Sequence, residues 1–171
     1  IGFLTSDTHS QIDVVSADNQ GQIYQIDMTP GYVSQDLVVR GTTLYVAVFD
    51  PAQECRVLEY DTRNFELIRQ FEVATTCSSP LIDVNADGTR AALVYYNSDF
   101  TSDHVVIADL DTGTVIDDEA TPYSQMSGPR FSNDGSKIYV RPVGSLIEYS
   151  LQSNNLVVTQ SQTYNSDYSE N

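Results

Sequence analysis

Residues 78–97 read SSPLIDVNADGTRAALVYYN. The centre of this stretch, Asp83-Val84-Asn85-Ala86-Asp87-Gly88, admits two readings. It matches the first half of a calcium loop, with oxygen-bearing side chains at alternate positions and glycine sixth. It also matches a tight turn between two β-strands. A complete calcium hand takes ligands at loop positions 1, 3, 5, 7 and 12. Asp83, Asn85 and Asp87 fill the first three, and the Thr89 carbonyl could serve as the fourth. Ala91 and Val94 fall at positions 9 and 12, and neither side chain can ligate a cation.

A ruler along the chain favours the turn. Gly41, Gly88 and Gly135 are spaced 47 residues apart. Asn85-Ala86-Asp87-Gly88 aligns with Ser132-Asn133-Asp134-Gly135, and Arg40-Gly41 takes the same place one unit earlier. That earlier unit keeps the glycine without the acids. A glycine kept without the acids marks a backbone position needing positive φ, with Asp or Asn bonding locally where present. Asp83, Asn85 and Asp87 remain the candidate metal ligands, and calcium the only cofactor considered.

Each unit holds four short runs rich in Val, Ile, Leu and Tyr, separated by turn residues. In the third unit they are residues 81–84, 90–96, 104–109 and 114–117. The third and fourth runs are joined by Asp61-Thr62-Arg63-Asn64, Asp111-Thr112-Gly113 and Gln152-Ser153-Asn154-Asn155 in the successive units, all hairpin-turn chemistry. A fainter first unit contains QIDVVSAD and GQIYQID as its second and third strands. Only MTPGYVSQ follows Asp27, too little for a normal fourth strand, so this unit is expected to be incomplete. No helical period of useful length is present. Repeats of 40–50 residues with four strands each are the pattern of β-propeller blades. The expected fold is therefore an all-β, propeller-like array of about four four-stranded antiparallel blades. The units fall at about 1–30, 31–76, 77–121 and 122–160, and 161–171 form a polar tail. A four-bladed ring and part of a larger ring both fit.

GPRFSNDGSKIYV, residues 128–140, resembles the repeat of TolB-type propellers, except that Asn133 stands where that repeat usually has proline. GTTLYVAVFD followed by RVLEYDT is similar to YVTN-type and lactonase-like seven-bladed propellers. The resemblance runs from Asp36 to Gln160. It implies the blade fold and, through the lactonase-like relatives, the capacity of such scaffolds to host hydrolases; no catalytic residue carries over.

The chain of 171 residues bears 8 Lys+Arg against 24 Asp+Glu, a net charge of −16. Such a field repels phosphate backbones, so nucleic acid is not an expected partner. No run of 18 apolar residues is present, which excludes a helical membrane span. The acidity fits a solvated extracellular surface, adaptation to high salt, or weak divalent-cation sites. The chain begins at Ile1 rather than Met, which suits a processed form or a fragment.

Cys55 and Cys77 fall where the second–third strand loop and the outgoing connection of the second unit emerge on one face. A disulfide is expected there, and with it an oxidising compartment, secreted or cell-surface. The same face carries the loop YYNSDFTSDH and the connection EATPYSQMSGP. Tyr96, Asp99, Phe100, Asp103, His104 and Tyr123 are the candidate ligand-binding residues, since loops on a rigid scaffold commonly carry binding. Asp7 with His9 and Asp103 with His104 offer partial metal pairs at most. The expected function is a non-enzymatic propeller domain for protein binding or self-assembly, the incomplete first unit leaving edges for another chain. A propeller hydrolase or a carbohydrate-binding module is the alternative.

Overall fold

The computed structural model describes residues 2–5, 10–15, 23–97, 102–122 and 126–163. Fifteen strands among these form four antiparallel sheets. The first sheet has three strands, β1 (Gly2–Thr5), β2 (Gln11–Val15) and β3 (Ile23–Asp27). The second contains β4 (Val33–Arg40), β5 (Thr43–Phe49), β6 (Cys55–Asp61) and β7 (Leu67–Ala74). The third contains β8 (Ser78–Val84), β9 (Arg90–Tyr96), β10 (Asp103–Asp109) and β11 (Thr114–Thr121). The fourth contains β12 (Ser127–Phe131), β13 (Lys137–Arg141), β14 (Ser145–Gln152) and β15 (Asn155–Thr163). Every strand pairs with its sequence neighbour inside its sheet, a plain meander. Among the described residues no helix is long and apolar enough to cross a membrane.

This is the propeller array read from the 47-residue ruler, with the first blade lacking a fourth strand among the described residues. The first strands, β1, β4, β8 and β12, pack against one another in that order, so they form the inner edge of an arc. β15 ends at Thr163 and takes in the first three residues of the expected tail.

Alternation along each strand sends apolar side chains into the spaces between sheets. Ile12, Val14, Ile26 and Met28 meet Leu44, Val46, Val48 and Leu58 between the first and second sheets. Tyr45, Ala47, Val57 and Val73 meet Ile82, Leu93, Val106 and Leu110 between the second and third. Ala92, Val94, Val105 and Ile107 meet Ile138, Val140, Ile147 and Tyr149 between the third and fourth. Each boundary is thus a sheet-on-sheet core.

The three ruler glycines all lie at positive φ, 58° at Gly41, 75° at Gly88 and 70° at Gly135. In the third and fourth sheets the turn is the same object. Gly88 N–H donates to the Asn85 carbonyl at 3.1 Å, and Gly135 N–H donates to Ser132 at 2.9 Å. Asp87 Oδ1 accepts from Thr89 N–H and Oγ1–H, and Asp134 Oδ1 accepts from Ser136 N–H and Oγ1's counterpart, the Ser136 hydroxyl.

A second repeated device lies five residues before Gly41 and before Gly88. Asp36 Oδ2 accepts the Ile82 N–H of the next sheet at 3.0 Å. Asp83 Oδ2 accepts the Phe131 N–H of the sheet after that at 2.9 Å. Arg40 reaches forward as well, donating to Asp83 Oδ1 at 2.8 Å and to the Val84 carbonyl at 2.8 Å. Two inner-strand aspartates therefore clamp the second sheet to the third and the third to the fourth.

Candidate functional site: a groove between the second and third sheets

The sequence placed its candidate loop at residues 95–104, but the strands take both ends of it. Tyr95 and Tyr96 close β9, and Asp103 and His104 open β10. Strand alternation then divides the candidates between two faces. Asp103 is buried, and its Oδ2 accepts the Met126 N–H at 3.0 Å. Burial raises its carboxyl above the ordinary range. Asp103 is therefore a brace for the connection into the fourth sheet. Tyr96 pairs with Asp103 in the ladder, and burial, with the Asp103 charge second, pushes its phenol up. Asp99, Phe100 and Tyr123, like Asp7 and His9, lie outside the described residues.

His104 turns to the opposite face, toward the second sheet. Its Nδ1 lies 2.7 Å from Asp118 Oδ1, and its Nε2 lies 3.4 Å from the Ser102 hydroxyl. The Tyr95 ring stacks on the imidazole with centroids 4.9 Å apart and planes 12° from parallel. The Tyr95 hydroxyl donates to Asp118 Oδ2 at 2.8 Å. Burial raises the Tyr95 phenol further still, with the Asp118 bond adding to it, so it stays a donor. Both Asp118 oxygens are thereby engaged, and Tyr95, His104 and Asp118 hold each other in place.

These groups line an open groove of 400 Å³ between the two sheets. The opposite wall is the end of β7 and the connection beyond it, with Glu72, Thr75 and Thr76. The Cys55–Cys77 disulfide is formed, with Cα atoms 5.7 Å apart and both residues fully buried. Cys77 N–H also donates to the Gln53 carbonyl at 2.7 Å. The bridge thus pins the Thr75–Thr76 rim to the start of β6.

The sequence reading named His104 and missed Asp118, Ser102 and Glu72. His104 pairs with Ala120 and Asp118 with Val106 across the β10–β11 ladder, so the two meet on a diagonal. Fixing that diagonal required the register of β10 on β11, which shifts at Ile107/Ala108.

Of the three candidate metal ligands, Asn85 and Asp87 meet at the Thr89 N–H, which both accept at 3.0 Å, and Asp83 is engaged elsewhere. Asp83 spends both oxygens on Arg40 and Phe131. Asn85 Oδ1 accepts the Thr89 and Arg90 amides at 3.0 and 2.9 Å. The Thr89 bonds hold the Asp87 carboxyl below its ordinary range, as a turn cap. Among the described residues no group of three or more His, Cys, Asp or Glu side chains is arranged to hold a metal ion.

No protein-family model and no curated protein matches this chain. Solved structures do. A functionally unknown protein from Desulfotomaculum acetoxidans superposes with a TM-score of 0.74 at 15% identity, over 94% of this chain and 50% of that one. The Dos1 propeller gives 0.71 at 10% identity, over 95% and 47%. The periplasmic gluconolactonase of Pseudomonas aeruginosa gives 0.64 at 13% identity, over 95% and 53%. The fold is that of a β-propeller, and the chain spans about half the length of each of these proteins.

Proposed function

We propose that this is a secreted or cell-surface propeller domain with a non-catalytic binding role, and that it takes a protein partner in the groove beside His104. The observation that carries this reading is the fixed set of Tyr95, His104 and Asp118 facing Glu72 across one groove. Side chains that hold one another before a ligand arrives lose little freedom on binding. Two carboxylates beside a stacked aromatic pair suit a cationic side chain, and the −16 charge of the chain steers cations toward it. The buried disulfide supports an oxidising compartment.

A tetra-arginine peptide is a suitable probe. Calorimetric titration should give a binding constant that weakens about tenfold in the Glu72→Gln/Asp118→Asn double variant, about 1.4 kcal/mol. Equal affinity for wild type and variant would assign the attraction to the general acidic field and sink the groove.

One observation favours a second reading. Ser102, His104 and Asp118 follow the hydrogen-bond order of a nucleophile, base and orienting acid. This would be a hydrolase reading, in which the Ser102 hydroxyl attacks an ester carbonyl while His104 takes its proton. A fluorophosphonate probe separates the two. Covalent labelling at Ser102 that vanishes in His104→Ala supports the hydrolase, and an unlabelled folded protein supports the binding role.

A further inference from the structure

The groove between the second and third sheets holds one side chain whose charge changes near neutral pH. An imidazole gains or loses its proton between about pH 5 and 8. His104 sits on β10, where it pairs with Tyr95 of β9 and Ala120 of β11. Its Nδ1 lies 2.7 Å from Asp118 Oδ1, and its Nε2 lies 3.4 Å from the Ser102 hydroxyl. A carboxylate only accepts, so Nδ1 carries a proton in both charge states of the ring. The second proton therefore enters at Nε2, beside a hydroxyl that can accept from it.

The two states keep the geometry and change the charge. With His104 neutral, the set of Tyr95, His104 and Asp118 carries one negative charge, on Asp118. With His104 protonated, an imidazolium stands 2.7 Å from that carboxylate and the set is neutral. The His104 side chain is 19% exposed and that of Asp118 35%, so solvent screens the pair only in part.

The other charges around His104 do not take over this role. Tyr95 stacks on the ring, and burial with the Asp118 bond keeps its phenol protonated. Glu72 of the opposite wall lies 3.7 Å from the Arg56 guanidinium, which shares its charge. Asp103, next in the chain, is buried on the other face against the Met126 amide. No lysine or arginine is among the described residues that line the groove. Asp118 is the carboxylate that only His104 can match.

We propose that His104 gates the groove by pH: neutral His104 leaves the Asp118 charge to a partner's cation, and protonated His104 takes that charge for itself. This rests on the groove being the site of a cationic side chain, and adds how that site lets go. A bound cation disfavours a second positive charge beside it, so the partner favours neutral His104. Binding therefore releases a proton wherever His104 is protonated in the free protein. Affinity is full above the imidazole window and falls as pH drops through it. The bond from Nδ1 to Asp118 persists in both states, so the gate acts on charge rather than on the fold.

The test is calorimetric titration of the 171-residue chain with the tetra-arginine peptide, whose guanidinium groups stay charged throughout. From about pH 7.5 to about pH 5.5 the binding constant should weaken about tenfold. In His104→Asn an amide N–H takes the place of Nδ1–H and does not titrate. There the same change of pH should move the constant less than about twofold, since carboxylates stay mostly ionised above about pH 5. In wild type at about pH 6.5, binding should release protons, read from how the heat varies with the ionisation enthalpy of the buffer. That measurement holds even where the variant fails to fold. Equal binding at both pH values, an equal weakening in His104→Asn, or proton uptake on binding overturns the gate and leaves the cationic site standing. No binding at about pH 7.5 overturns the cationic site and the gate together.

Discussion

The carboxylate of Asp83 and the backbone N–H of Phe131 meet at 2.9 Å across the boundary between the third and fourth sheets. Asp83 is 5% exposed, and its other oxygen holds Arg40 of the second sheet. One side chain thereby joins three successive sheets. Asp83→Ala leaves the Phe131 amide without its acceptor and Arg40 without its counter-charge, and is expected to cost about 2 kcal/mol. Urea denaturation measures it. A loss no larger than that of an exposed control such as Asp111→Ala would show that the clamp does not stabilise the arc.

The disulfide joins residues 22 apart in the sequence. The chain-entropy account gives roughly 3 kcal/mol for such a loop. Cys55→Ser/Cys77→Ser is expected to lose about that much unfolding free energy in urea denaturation. It should also weaken probe binding in the groove, since the bridge pins the Thr75–Thr76 rim. Lost stability with unchanged binding would separate the bridge from the site.

Acid should remove the stabilisation that the turn aspartates supply. The Ser132 hydroxyl and the Ser136 bonds lower the Asp134 carboxyl to about 2, and the Arg63 bonds lower Asp61 to about 2. An unfolded aspartate titrates near ~3.9. The folded values are depressed, so this contribution is full above ~4 and disappears as pH falls toward ~2. Burial raises Asp36, Glu59 and Asp103, and their contributions run the other way, growing as these groups protonate. Asp134→Asn removes one depressed group. Its melting temperature should lie below wild type at pH 7, with the gap closing by pH ~2. A constant gap would assign the bond no charge dependence.

Two glycines at positive φ should respond differently to alanine. At Gly41, φ is 58° and an added Cβ meets nothing within 4 Å. At Gly31, φ is 93° and the Cβ would lie 2.8 Å from Pro51 Cγ. Gly41→Ala is expected to cost about 1 kcal/mol from backbone conformation alone. Gly31→Ala should cost more, because the Pro51 ring must move. Equal costs in urea would show that the ring yields freely.

Calcium should leave the melting temperature unchanged at millimolar concentration, because Asp83 faces Arg40 and Phe131 while Asn85 and Asp87 cap their own turn. A rise that disappears in Asp87→Ala would reinstate the loop as a cation site.

Much of the fold was legible because a turn that needs positive φ advertises itself as glycine. Gly41, Gly88 and Gly135 fixed the period, and alternation around them fixed the strands. The disulfide followed from the topology that period implied. The clamp stood on the same ruler at Asp36 and Asp83, yet its role depended on which amide each side chain meets in the next sheet. The groove was less legible. Asp103 and His104 are neighbours in sequence and part to opposite faces because β10 begins at Asp103. Asp118 reaches His104 only through the register of β11, and register is a property of pairing rather than of local sequence.

Hydrogen exchange at the amides of Ile82 and Phe131 tests the clamped arc most directly. Both should exchange as slowly as the core amide of Leu93. Asp36→Ala should accelerate Ile82, and Asp83→Ala should accelerate Phe131, each without the other. Fast exchange at both amides in the wild-type protein, or acceleration of both by either substitution, would contradict the sheet-to-sheet clamp on which this architecture rests.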